Sequence, residues 1–203
     1  VSGSETAAMA IHIVRHGETE LNVARVVQKP DTPLSVCGCE QARRVGRRFV
    51  GGSIALILTS DYLRAKQTAE SIKVAIGAPL EVNTNLRERN FGDLRGTSYD
   101  SRGNDIFAED YVPQNGESWA KFHKRVDKAW AEVVAVGSRL RGDLAVVTHG
   151  LVCLSLLDRV LAVPANERVD GWVVGNTSVT VVDAAPPHTV DVLACVTHLE
   201  GMN

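Results

Sequence analysis

No apolar run in this 203-residue chain is long enough to cross a bilayer, and Val1 to Met9 lack the basic start and apolar centre of a secretory leader. The expectation is a cytoplasmic protein, with residues 1–9 as a flexible N-terminal tail. An excess of either charge is also missing. The 22 Lys and Arg residues against 24 Asp and Glu leave a net charge of −2, too little field to hold nucleic acid or an anionic membrane surface. Cysteine is scarce: Cys37, Cys39, Cys153 and Cys195 make no Cys-x-x-Cys pair and no regular disulfide framework, so reduced, buried thiols are expected.

What the chain does contain is core material. With 44% hydrophobic and 23% charged residues it can bury one substantial core, and one domain over residues 10–203 is the expected count. Apolar, β-branched segments at Ala10 to Val14, Ile54 to Leu58, Leu80 to Val82, Leu144 to Thr148, Val179 to Val182 and Val190 to Val196 read as about six strands. Helical spacing links Ala42, Val45 and Phe49, then Ala65, Ala69, Ile72 and Ile76, then Trp119, Phe122, Val126, Ala129, Trp130 and Val133. Alternating strands and helices predict an α/β fold, a three-layer αβα sandwich around a mostly parallel sheet with one antiparallel edge strand. Arg43, Arg44, Arg47 and Arg48 fall opposite the apolar stripe of their helix and read as its solvated face. Residues 98–117 break the pattern with Gly103, Pro113 and Gly116 and read as a long loop, either a surface insertion or a cover that selects the substrate.

The stretch Ile11-His12-Ile13-Val14-Arg15-His16-Gly17-Glu18-Thr19 joins a buried strand directly to an arginine, a histidine and a glycine turn. In an open α/β sheet the carboxyl end of a strand is where ligands bind, so Arg15 and His16 are placed to offer a cation beside a nucleophile. Three further phrases put charged or imidazole groups at strand ends or glycine turns: Ser60-Asp61-Tyr62-Leu63-Arg64-Ala65-Lys66-Gln67-Thr68-Ala69, Leu86-Arg87-Glu88-Arg89-Asn90-Phe91-Gly92, and Val146-Val147-Thr148-His149-Gly150. Taken in order, the four resemble the histidine phosphatase superfamily, also called phosphoglycerate mutase-like, in its small bacterial-type phosphatase branch, from about Ile11 to Val182.

Two guanidinium forks, Arg15 and Arg64, suit a phosphate dianion and would aim its phosphorus at the His16 imidazole. Nearby guanidinium charge disfavours imidazolium, and a backbone acceptor at Gly17 would hold the neutral tautomer. The resemblance implies that a charged His149 stabilises the phosphoryl oxygens, with backbone donors at the helix opened by Gly150 meeting the anion. It implies that Glu88 protonates the leaving group and later activates water, its pKa raised by the polyanionic substrate and lowered by Arg87 and Arg89. It also implies that Asn22 and Gln28 contact phosphate or substrate. Glu18 and Thr19 are expected to shape the turn. No metal and no cofactor is called for: His12 and His16, four residues apart on a strand, stand about 13 Å from each other, too far to share an ion. His123, His188 and His198 are expected to be structural or exposed.

The activity implied is hydrolysis of phosphate monoesters of small metabolites, without metal, through phosphohistidine. A cofactor-dependent phosphoglycerate mutase uses the same histidines and arginines and is the alternative. Phe91, where the resemblance calls for a tyrosine, and a short acidic insert before His149 argue against it. A non-catalytic phospho-ligand-binding protein is the second alternative. The expected partner is a small phosphorylated substrate, and homodimer formation is left open.

Overall fold

The structure, a computed structural model, describes residues 9–99, 105–165 and 174–202. The expected tail therefore lies outside the described residues except for Met9, as does part of the 98–117 loop. Six strands, β1 (Ala10–Arg15), β2 (Ile54–Thr59), β3 (Leu80–Val82), β4 (Asp143–Thr148), β5 (Val179–Asp183) and β6 (Val190–Cys195), form one sheet in the order β3-β2-β4-β1-β5-β6. β3, β2, β4 and β1 are mutually parallel, whereas β5 runs antiparallel to both β1 and β6. The antiparallel pairings thus fall at the edge of the sheet, through its penultimate strand.

Side chains on a strand alternate between faces, and here the alternation builds two cores. Ile11, Ile13, Leu56, Leu58, Leu144 and Val146 point to one face and pack with α4 (Trp119–Gly137) and α5 (Gly150–Arg159). Val14, Ile57, Ala145, Val147 and Val179 point to the other, where α2 (Val36–Arg48) and α3 (Leu63–Ile76) bring Val45, Ala65, Ala69 and Ile72. Burying both faces is what a parallel sheet requires, at about 1.5–3 kcal/mol for each large aliphatic side chain removed from water. A small third cluster of Val27, Phe91, Leu94 and Ile106 lies under the loop.

Helix ends follow local chemistry. Ser35 caps α2 by accepting from Gly38 N at 2.9 Å, and α3 stops at Gly77, whose φ of +74° is left-handed. A one-turn helix, α1 (Glu20–Val23), is set by a capping box between Thr19 and Asn22. Gly38 matters for another reason: a Cβ there would lie 2.0 Å from Glu18 O, so α2 packs directly on the backbone that follows His16.

One expectation needs correction. The four thiols are free, but only Cys153 is buried; Cys37 lies in the first turn of α2 and is exposed, and Cys39 and Cys195 are half-buried. The arginines of α2 do stand on its solvent side, with Arg43 and Arg47 exposed and Arg44 and Arg48 half-buried. Arg43, Arg44 and Arg47 converge on Glu40 at 3.1, 3.2 and 3.0 Å, while Arg48 reaches Cys195 Sγ at 3.2 Å.

Candidate active site

Parallel pairing of β1 with β4 sets Arg15 opposite Thr148, so the next residues of the two strands, His16 and His149, emerge side by side. Their ring centroids are 5.2 Å apart and both rings are buried. β2 ends nearby at Thr59, and the turn Ser60-Asp61-Tyr62 leads into α3, whose second residue is Arg64. Three strand ends thus deliver the groups that the sequence placed far apart.

The partners of His16 define its protonation. Nδ1 lies 2.7 Å from Gly17 O, which can only accept, and Nε2 lies 3.1 Å from Arg64 Nε, which can only donate. The ring is therefore the neutral Nδ1–H tautomer with its lone pair on Nε2. Burial, then the charges of Arg64 and Arg15, hold its pKa well below 6.5, against the hydrogen bond to Gly17. Gly17 is itself fixed, its N–H donating to Thr68 Oγ1 at 3.0 Å. Arg64 is 1% exposed, donates a second bond to Lys29 O at 3.1 Å, and is brought from 12.5 down to about 10 by burial above all. Arg15 donates from Nη1 to Val174 O, and its Nε is buried without a partner among the described residues.

The surroundings of His149 favour its neutral form, whereas the resemblance implies a charged imidazole during phosphoryl transfer. Complete burial, then Arg64 and His16, drive its pKa well below 6.5. Its Nε2 meets Ser60 Oγ at 2.9 Å, and Ser60 Oγ also accepts from Tyr62 N at 3.3 Å. The arrangement that leaves fewest groups unpartnered has the Ser60 hydroxyl donating to Nε2. Nδ1–H is then a buried donor without a partner among the described residues.

Glu88 stands across the cavity at the start of α5. Its Oε2 accepts from Leu151 N at 3.2 Å and its Oε1 from Arg89 N at 3.1 Å. One of the helix-start donors expected to meet an anion is therefore already used by the acid. Burial raises the Glu88 pKa above 4.5, and the charges that oppose it come from Arg64 and Arg15. Arg89 acts on Glu88 in the direction expected, through its backbone N–H and its charge, although its guanidinium donates to the loop, whereas Arg87 is paired with Asp61. Gly150 separates the two sides: a Cβ there would sit 3.6 Å from Arg15 Nε and 3.9 Å from Glu88 Oε2.

Arg15, His16, Asn22, Gln28, Arg64, Glu88 and Gly150 all line one cavity of about 260 Å³, and the His149 ring packs edge-on against two of its lining residues, His16 and Tyr62. Thr19 Oγ1 donates to Gln28 Oε1 at 2.9 Å and its backbone N–H to Asn22 Oδ1 at 3.2 Å, so Thr19 orients both amides. Apart from Arg89 and Arg95, the outer wall is apolar and aromatic, formed by Val27, Phe91, Tyr99, Phe107, Leu151 and Leu154. Sequence reasoning missed Ser60, Tyr62 and Asn176, the last donating to His16 O at 3.0 Å. Ser60 and Tyr62 sat inside a quoted motif, whereas nothing in the sequence marked Asn176. His123, His188 and His198 lie outside the cavity, held by Ser155, Asp183 O and Thr177. Among the described residues no three His, Cys, Asp or Glu side chains are grouped to hold a metal ion, and no helix is long and apolar enough to cross a membrane.

Comparison with known proteins agrees with this geometry. The chain is 33% identical over 167 residues to a probable phosphoglycerate mutase, GpmB, of Salmonella choleraesuis strain SC-B67, covering 77% of each chain. Among solved structures, Bacillus stearothermophilus YhfR superposes with a TM-score of 0.81 at 31% identity, covering 95% of this chain and all of that one. A mycobacterial glucosyl-3-phosphoglycerate phosphatase complexed with VO3 superposes with a TM-score of 0.74 at 28% identity, covering 87% and 91%. The model of the histidine phosphatase superfamily (branch 1) matches residues 11–194. Paired imidazoles at adjacent strand ends, buried guanidinium groups beside them and this match over most of the chain make the protein a member of the histidine phosphatase superfamily.

Proposed function

We propose that the protein is a metal-independent phosphatase that hydrolyses phosphate monoesters of small metabolites through a phosphohistidine on His16. The observation that carries this reading is the His16 tautomer: the bond from Nδ1–H to Gly17 O leaves the lone pair on Nε2, where it accepts from Arg64 Nε, a donor that turns to a phosphoryl oxygen as Nε2 attacks. Arg15 and Arg64 supply the charge that phosphoryl transfer demands of a protein. Nε2 attacks phosphorus, the ester P–O bond breaks, and the leaving oxygen takes the proton of Glu88. The Nδ1–H of His149 is a donor for the phosphoryl oxygens during this step. The Glu88 carboxylate then removes a proton from water as it attacks the phosphorus, the P–N bond breaks, and inorganic phosphate and neutral His16 are regenerated.

Phosphoglycerate mutase is the second reading, and the name of the Salmonella relative favours it. The outer wall serves either reading, since beside the apolar Phe91, Phe107, Leu151 and Leu154 it includes Arg89 and Arg95, cations able to meet a carboxylate on the substrate. Rapid quenching during turnover of a phosphate monoester is expected to trap one acid-labile phosphate per chain, absent in His16→Ala. Phosphate release without any bisphosphorylated cofactor supports the hydrolase. Strict dependence on a bisphosphoglycerate would replace it with the mutase, and an unchanged adduct in His16→Ala would remove His16 as nucleophile.

A further inference from the structure

Arg89 is, with Arg64, the largest of the fully buried side chains among the described residues, 1% exposed, yet its guanidinium donates to no carboxylate there. It donates instead to three backbone carbonyls of the segment that leads into α4: Tyr111 O at 2.6 Å, Glu117 O at 3.2 Å and Ile106 O at 3.4 Å. Its guanidinium also lies 4.0 Å over the Trp119 ring, and the Trp119 indole donates to Ala108 O at 2.9 Å. The acid whose charge acts most strongly on it, Glu117, is hydrogen-bonded instead by Arg125 at 2.7 Å and by Asn90 N at 2.9 Å. A buried cation that spends its donors on carbonyls of an irregular segment is ordering that segment.

The segment so held, residues 105–117, carries Phe107, which packs edge-on against Phe91 and Tyr99 and forms part of the cavity wall. Phe107 is nevertheless 40% exposed, so this wall is incomplete without something resting on it. The same Arg89 holds the acid from its main chain, through the bond from its N–H to Glu88 Oε1. One residue therefore grips the loop with its side chain and the proton donor with its backbone. Tilting the 88–89 peptide to follow a shifted guanidinium would swing that N–H away from Oε1.

We propose that Arg89 is a positioning residue through which the 105–117 segment, seated on the cavity, sets the orientation of Glu88. A leaving group resting on Phe107 would steady the segment and, through Arg89, align the acid with the oxygen it must protonate. The proposal rests on the phosphatase reading given above, in which Glu88 acts as general acid.

The test compares kcat/KM for two esters, because this quantity reports the phosphorylation step alone. An alkyl phosphate monoester needs its leaving oxygen protonated; p-nitrophenyl phosphate, whose leaving group is stable as an anion, does not. In Arg89→Met the alkyl ester is expected to lose about thirtyfold, part of what a general acid contributes, and the aryl ester about threefold. Arg89→Lys, which keeps a cation but not the fork, should shift the ratio the same way by a smaller factor, and it carries the test if thermal melting shows that Arg89→Met does not fold. Equal losses for both esters would reduce Arg89 to a structural anchor, and no loss for either would remove it from the mechanism; both results overturn the proposal. Wild-type protein that hydrolyses neither ester would overturn the phosphatase reading itself, an outcome distinct from either.

Discussion

Replacing Arg64 with lysine keeps a positive charge and should still cripple the enzyme in a pH-dependent way. Arg64 Nε donates to His16 Nε2 at 3.1 Å while Nη1 donates to Lys29 O at 3.1 Å, a two-point geometry that a single ammonium cannot reproduce. Losing the directed donor is worth about 10²–10³ in rate, the effect of removing one preorganised hydrogen bond from a site that stabilises developing charge. A second penalty follows from burial. The burial that brings the guanidinium from 12.5 down to about 10 would also lower a lysine ammonium, whose ordinary value of about 10.4 already lies below that of arginine. The expected result is a kcat/KM for p-nitrophenyl phosphate that is low at pH 6 and falls further on the alkaline side in Arg64→Lys, at a lower pH than any such limb in the wild-type protein. Arg64→Met should be low at every pH. A lysine variant with wild-type activity, or one whose activity is independent of pH up to 10, would refute the argument that the buried fork both aims His16 and carries the charge.

Three further outcomes are expected. Glu88, raised above 4.5, stays protonated into mildly acidic solution and loses its proton as pH rises, while His16, held well below 6.5, keeps its lone pair until pH falls far below that value. The kcat/KM profile for an alkyl monoester should therefore have an alkaline limb that Glu88→Gln abolishes and no imidazole limb near pH 6.5, and an alkaline limb surviving in Glu88→Gln would contradict the assignment. Ser60→Ala removes the group that fixes the His149 tautomer and should cost about tenfold in kcat with little change in thermal stability; ¹⁵N chemical shifts of the His149 ring would show a mixture of tautomers in place of Nδ1–H. Gly38→Ala puts a methyl group 2.0 Å from Glu18 O, so despite the better helix propensity of alanine it should destabilise by about 2 kcal/mol, a fall of roughly 4–8 °C in Tm by calorimetry.

The sheet was largely legible because its strands are β-branched runs bounded by turn residues, and because paired faces demand the alternation seen at Ile11, Ile13 and Val14. Arg15, His16, Arg64 and His149 were legible from their places at strand ends and helix starts, where topology alone decides what meets. Arg89 was not. Its partners lie 17, 22 and 28 residues away in an irregular segment and are carbonyl oxygens, which no residue type announces. The lowered pKa of His149 was hidden for a related reason, since it depends on burial and on the neighbours of the ring in three dimensions.

In the strand order β3-β2-β4-β1-β5-β6, the fourth strand slots between the first and second. During synthesis, β1 and β2 leave the ribosome with a vacancy between them, and the reactive imidazole at the end of β1 exists for more than a hundred residues without its counterpart on β4. On the proposed mechanism, an unfinished chain has no competent phosphoryl acceptor. Activity should appear abruptly when β4 inserts, which makes turnover a direct reporter of completed sheet assembly in a refolding experiment.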